Sequence, residues 1–284
     1  MKLAFLMPLS QKSIQTAVEL KYDAIEIGAG WMSPAFDDLE RDLPALKDAL
    51  DANKIAISSV AIYGGTITAS VAEAVAYWKR AIQMARKLDC GVVSGLTGRD
   101  NALTFDENLP LFKERFEQIA QIASDEAVRI ALEPWPGSVR GHGPYHWTNM
   151  ATTPELWAKL IEAVPNQAMG FEYDPSHFYW QEIDYIRAIR DFADRIHHMH
   201  AKDIVVDCDK RSYVGVHGNS WWRFVIPGLG VLDWQAIFDT LKEVGYQGDV
   251  AVEHEDNVYL NERWNEGLSI AIKYLRPFVD SYNS

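Results

Sequence analysis

Short β-type runs alternate with amphipathic helical segments along the whole 284-residue chain, and that alternation calls for a parallel sheet assembled from βαβ units. Eight such runs are readable, at 3–7, 24–28, 55–62, 91–95, 129–133, 170–174, 196–200 and 250–253. Between them, apolar residues recur at three- and four-residue spacing, as in Ala76, Trp78, Ile82, Ala85 and Leu88, which marks one helix face for packing on a sheet. Helix starts agree with this register. Ser10 precedes the first, Thr153-Pro154-Glu155 combines a cap with an N1 proline, and Asp233 opens a later one. Gly245, after Leu241 to Val244, is a C-terminal stop. Eight repeats close a (β/α)8 barrel, and such barrels fold as one domain of about 250 residues. The expectation is a single barrel domain over residues 1–284.

Composition narrows the partners. The net charge is −13, and no stretch gathers lysine and arginine densely enough to follow a phosphate backbone, so nucleic acid is not expected as a partner. The start, Met1 to Pro8, carries one positive charge and too short an apolar run for a signal peptide or a membrane span. A soluble cytoplasmic protein with no membrane association is expected. Cys90 and Cys208 have no spacing that suggests a zinc knuckle or redox pair, which fits a reducing compartment.

Four ligand-type side chains end four separate strand runs: Glu133, Asp174, His200 and Glu253. For any one of them, a strand-end group held by lysine or backbone donors is an equal alternative. Together they suggest side chains converging on one divalent cation, and hard oxygens with a single imidazole suit manganese, magnesium or cobalt. Alternation in a strand places Glu172 on the Asp174 face and His198 on the His200 face, with Leu132, Tyr173, Met199 and Val252 turned towards the helices. Two long connections, 134–152 and 201–232, follow strand carboxyl ends, where barrel active sites are built. The first contains His142, Tyr145, His146 and Trp147, and the second Trp221, Trp222, Arg223 and Phe224. His142 and His146 read as lid or substrate-pocket residues. His177, turned by the Asp-Pro-Ser-His sequence, is placed to hold a metal-bound water or a substrate oxygen, and a backbone-bonded loop histidine is the competing reading. Lys202 is either a substrate contact or the ion-pair partner of a neighbouring carboxylate. Arg223 is either a clamp on a polyol or a plain loop arginine. Glu26 closes the second strand and reads either as a member of the same pocket or, as is favoured, as a structural acid.

Leu-Glu-Pro at 132–134, Asp-Pro-Ser-His at 174–177, His-Met-His-Ala-Lys-Asp at 198–203, Ile-Pro-Gly-Leu-Gly with Asp-Trp at 226–234 and Val-Glu-His-Glu-Asp at 252–256 stand in an order that resembles the xylose isomerase-like TIM barrel superfamily. This is the sugar phosphate isomerase/epimerase group, which includes ketose 3-epimerases, inosose dehydratase and endonuclease IV. The resemblance implies that Glu133, Asp174, His200 and Glu253 bind one divalent metal, with Mn2+ expected ahead of Mg2+ or Co2+. It implies that Glu133 and Glu253 act as acid and base on opposite faces of a sugar, and that His177 and Arg223 hold substrate oxygens. A cation across a carbonyl and an adjacent hydroxyl acidifies the C–H between them and stabilises the enediolate that forms. Endonuclease IV relatives use histidines on the third and fourth strands, whereas these strands end here in Tyr-Gly-Gly and Leu-Thr-Gly.

The expected activity is isomerisation or epimerisation of a ketose or keto-sugar derivative. The alternative is a lyase, either a keto-inositol dehydratase or a 3-keto-glycoside cleaving enzyme, using the same proton abstraction. A non-catalytic sugar-binding subunit is a third reading, and the intact quartet argues against it. No glycine-rich phosphate cradle stands out, so the sugar or polyol is expected to be unphosphorylated. Either a homo-oligomer or a partner subunit is compatible with the sequence.

Overall fold

A computed structural model of the protein describes residues 1–137 and 147–284. Eight parallel strands close into a barrel: β1 (Leu3–Met7), β2 (Ala24–Gly28), β3 (Ala56–Ile62), β4 (Val92–Gly95), β5 (Arg129–Leu132), β6 (Met169–Tyr173), β7 (Ile196–Ala201) and β10 (Val250–Val252). β1 pairs with β10 and β2, which completes the (β/α)8 TIM barrel expected from the repeat. The helices on its outside are α1 (Gln11–Leu20), α2 (Pro34–Asn53), α3 (Val71–Lys87), α4 (Phe105–Asp125), α5 (Pro154–Ala163), α6 (Pro175–Tyr179), α7 (Tyr185–Asp191), α9 (Trp234–Glu243) and α10 (Trp264–Asn283). Ser10, Thr153 and Asp233 each cap a helix as expected, accepting from the backbone of Ser13, Leu156 and Ala236. None of the helices described is long and apolar enough to cross a membrane.

The apolar spacing on α3 needs one correction. Trp78, Ile82, Ala85 and Leu88 are buried, but Ala76 is exposed, and Ala74 takes the inward position. A step of four from 74 to 78 keeps the helical face, whereas a step of two turns the side chain away.

The connection after β7 is a structured excursion where the sequence suggested a loop. β8 (Asp203–Val206) pairs antiparallel with β9 (Trp222–Val225), and α8 (Cys208–Val214) lies between them. Asp203 anchors its return. This buried carboxylate accepts from the backbone N–H of Ile204, Gly228 and Leu232 and from the indole N–H of Trp234. A Cβ at Gly230 would run into the same carboxylate, so that position is restricted to glycine.

The hydrophobic core lies between sheet and helices, with Trp78, Trp157 and Trp234 almost wholly buried. Leu132, Tyr173, Met199 and Val252 join it as expected. Ala4, Ala24 and Ala251 form a separate small cluster. Small side chains here leave room for a polar layer nearer the strands' carboxyl ends. That layer contains Glu26, Ser59, Ser94, Glu172 and His198, all wholly buried.

Candidate metal centre

Ligand atoms of Glu133, Asp174, His200 and Glu253 lie within 4.8 Å of one another. Each follows or ends a different barrel strand, so the closure of the sheet assembles the group. His200 Nδ1 is 3.0 Å from Glu253 Oε2 and 3.6 Å from Glu133 Oε1. Asp174 caps α6. Its Oδ1 accepts from the Ser176 backbone N–H at 2.8 Å and the Ser176 hydroxyl at 2.6 Å, which fixes the carboxylate and turns Oδ2 inward.

Asp174 Oδ2 and His200 Nδ1 are buried and make no hydrogen bond of acceptable geometry. Buried polar atoms are rarely left so, and a bound cation satisfies both at once. The donor set of three carboxylates and one imidazole fits a hard divalent ion. Burial alone would lower the His200 pKa, but Glu172, Glu26 and Glu253 raise it well above the ordinary value. The anions that favour a proton on this ring favour a divalent cation in its place, since proton and metal compete for the ligand lone pair.

His177 and Lys202 complete the floor, where the sequence placed them. His177 Nε2 lies 3.3 Å from Glu133 Oε1 and 3.5 Å from Asp174 Oδ2. Lys202 Nζ lies 3.2 Å from His177 Nε2 and Asp174 Oδ2, 2.5 Å from Glu253 Oε2 and 3.0 Å from Glu255 Oε2. Burial would deprotonate this lysine, but Asp174, Glu253 and Glu255 hold its pKa well above the usual value, so it is an ammonium. Burial and Glu253 push the Glu133 carboxyl up, and His177, His200 and Lys202 outweigh them to bring it to about 2. Glu253 is likewise held low, with Lys202 and then His200 overcoming burial. Both carboxylates are therefore ionised bases near neutral pH.

Arg223 sits on β9 with Nη1 3.0 Å from the buried Asp256 carboxylate, which also accepts from the backbone of Ile226 and Val258. It is thus fixed on the excursion beside the pocket and shows no contact with the four ligands among the described residues. His142 and His146 lie outside the described residues. Phe224 packs edge-on against His177 at 5.3 Å, and the Lys202 ammonium lies 4.3 Å from its ring centre.

Beneath the ligand quartet lies a second ring of polar groups. His200 Nε2 donates to Glu26 Oε2 at 2.9 Å, and His198 Nδ1 to Glu172 Oε1 at 2.7 Å. The Tyr63 hydroxyl is 2.8 Å from Glu172 Oε2 and 3.2 Å from Glu26 Oε1. Ser94 donates to Glu172 at 2.9 Å and is itself bonded to Ser59. Burial, opposed by His200, pushes the Glu172 pKa up to about 7. The favoured reading of Glu26 as a structural acid misses its contact with a candidate ligand histidine, which the second reading, entry into the same pocket, allowed. The period-two pattern did place Glu172 and His198 on the inner face, but nothing in the sequence brought Tyr63 to them.

Fold and site together define a (β/α)8 barrel with a candidate cation centre at the carboxyl ends of its strands. A family model for the xylose isomerase-like TIM barrel matches residues 14–278, and the chain belongs to that family. It is 32% identical over 122 residues to the uncharacterized protein YfiH of Bacillus subtilis, covering 38% of each chain. It is 27% identical over 178 residues to inosose dehydratase of Clostridium beijerinckii, covering 60% of this chain and 55% of that protein. The matched stretches thus span little more than half, or less, of these relatives. The structure of the IOLI protein with a binding zinc atom superposes with a TM-score of 0.75 at 20% identity, covering 99% of each chain, which shows the shared fold.

Proposed function

We propose that the protein is a divalent-metal-dependent sugar isomerase or epimerase acting on a ketose or keto-sugar derivative by abstraction of the proton beside the carbonyl. The observation that carries this is the pair Glu133 and Glu253, one buried and one partly exposed carboxylate held ionised at one candidate cation site. Glu133, Asp174, His200 and Glu253 would hold the cation, Mn2+ by preference, which would supply Lewis acidity to the substrate. Glu253 takes the carbon-bound proton, and its return to the adjacent carbon, with the hydroxyl proton passing to the former carbonyl oxygen, gives the isomer. Delivery to the other face of a proton that Glu133 has first taken from a substrate hydroxyl, with the proton on Glu253 restoring that hydroxyl, gives the epimer. Lys202 and His177 hold the substrate oxygens, and the aromatic wall of Phe224 excludes water from the exchanging proton.

A lyase is the second reading, and Lys202 favours it. Its buried ammonium, 2.5 Å from Glu253 and 3.2 Å from His177, is a proton donor beside the base. Expulsion of a β-hydroxyl needs such a donor, with the base taking the α-proton and the leaving hydroxyl departing as water. The similarity to inosose dehydratase supports the same alternative.

Proton NMR in heavy water with Mn2+-, Mg2+- or Co2+-reconstituted protein and a panel of ketoses, 3-keto glycosides and keto-inositols separates the two, with spectra taken after the metal is removed. Deuterium beside the carbonyl with the skeleton intact supports the isomerase, and loss of water or an aglycone supports the lyase. Glu133→Gln and Glu253→Gln should abolish exchange. Exchange at wild-type rates in both variants sinks the acid/base assignment.

A further inference from the structure

We infer that Glu26 is a positioning residue for the cation site, acting by fixing which nitrogen of His200 faces it. This rests on the reading of His200 as a ligand. Glu26 enters the barrel from β2, on the opposite side of His200 from Glu253, and its carboxylate is wholly buried. The His200 ring lies between the two acids, with Nε2 2.9 Å from Glu26 Oε2 and Nδ1 3.0 Å from Glu253 Oε2. A carboxylate is an acceptor only, so the Nε2 position must carry the proton. When a cation takes the place of any proton on Nδ1, the lone pair there faces the other ligands, on an atom with no satisfactory hydrogen bond.

Tyr63 holds Glu26 in this role. Its hydroxyl lies 3.2 Å from Glu26 Oε1, 2.8 Å from Glu172 Oε2 and 3.1 Å from His200 Nε2. The same side chain packs edge-on to the His200 ring at 6.1 Å, which limits ring rotation. Glu26, Glu172, His198 and His200 also bring four ligand-type atoms together, but contacts of 2.7 Å and 2.9 Å pair each imidazole with an acid, and His198 Nε2 is left without a hydrogen bond. The lower ring is thus a hydrogen-bonded bed for the upper one. An acid that orients a ligating imidazole in this way is worth about 10- to 100-fold in metal affinity.

The test is Mn2+ affinity, read by EPR of free Mn2+, in wild type, Glu26→Gln and Gln118→Ala, an exposed change on α4, together with the melting temperature of each metal-free protein. Glu26→Gln keeps the volume but replaces an obligate acceptor by a group that can also donate to Nε2. We expect about tenfold weaker Mn2+ binding in Glu26→Gln, at a metal-free melting temperature close to wild type, and unchanged binding in Gln118→Ala. Affinity within twofold of wild type in Glu26→Gln overturns the proposal. Nitrogen-15 NMR of the imidazoles in wild-type protein is independent of the variant's folding. In Zn2+-loaded protein, a proton on His200 Nε2 with Nδ1 shifted by the metal supports the assignment, and a bare Nε2 overturns it. Absence of Mn2+ binding by wild type sinks the ligand reading on which the proposal rests, whereas Mn2+ binding that Glu26→Gln leaves unchanged sinks the proposal alone.

Discussion

His197 provides a stability switch that can be separated from the chemistry of the site. It is buried beside β5, with Nδ1 2.9 Å from the Ile130 carbonyl, and it packs so closely on Gly170 that any Cβ there would strike its ring. Burial first, with Arg129 and Arg195 adding to it, lowers its pKa from 6.5 to about 4, against the Ile130 hydrogen bond. The neutral ring is therefore the native one. Between about pH 4 and 6.5 the unfolded chain binds more protons than the folded one, so stability rises with pH across that window. The contribution is intact above 6.5 and is lost as pH falls towards 4. A shift of roughly 2.5 units at about 1.36 kcal/mol each makes the full loss about 3 kcal/mol, of which about 2 kcal/mol is already lost at pH 5. His197→Gln retains an N–H for the Ile130 carbonyl and cannot titrate. Urea unfolding at pH 7.5 and 5.0 should show wild type losing about 2 kcal/mol more than the variant between the two conditions. A packing defect in the variant lowers both of its values equally and leaves this difference unchanged. Equal losses in the two proteins refute the argument.

Three further outcomes are expected. Asp174→Asn, which can still cap α6 through its amide oxygen, should weaken Mn2+ binding at least about tenfold in calorimetric titration by removing one anionic ligand. Asp203→Ala should cost at least about 3 kcal/mol in chemical denaturation, since four donors lose one buried acceptor. Native protein should react with one equivalent of a disulfide reagent, at the exposed Cys208. Cys90 is buried, with its thiol pushed up to about 12, and should react only after denaturation.

The barrel was legible in the sequence because its signal is local and repeated. Each strand run and each helical face recurs in a window short enough for spacing alone to specify, and caps such as Ser10 and Asp233 act on residues three positions away. Ala76 shows the limit of that signal, since an alanine adds almost nothing to the contrast between two faces. The excursion after β7 was hidden for a different reason. Its strands pair residues 203–206 with 222–225 across a helix, and Asp203 reads as one more charged loop residue until Gly228, Leu232 and Trp234 fold back on it.

The upper ring of the site was legible and the lower ring only partly so, for one geometric reason. Ligands at strand ends share a local context, so Glu133, Asp174, His200 and Glu253 announce one another, and period two carries the pattern down to Glu172 and His198. Glu26 and Tyr63 come from strands on the other side of the barrel, and only closure of the sheet brings them to His200. A buried acid that contacts a ligand is indistinguishable in sequence from one that holds a backbone amide. What separates them is the partner. Asp203 collects four neutral N–H donors and stabilises a turn, whereas Glu26 bonds an imidazole whose other nitrogen faces Glu253 and Glu133. Replacing the first acid should therefore cost folding free energy, and replacing the second should cost metal affinity.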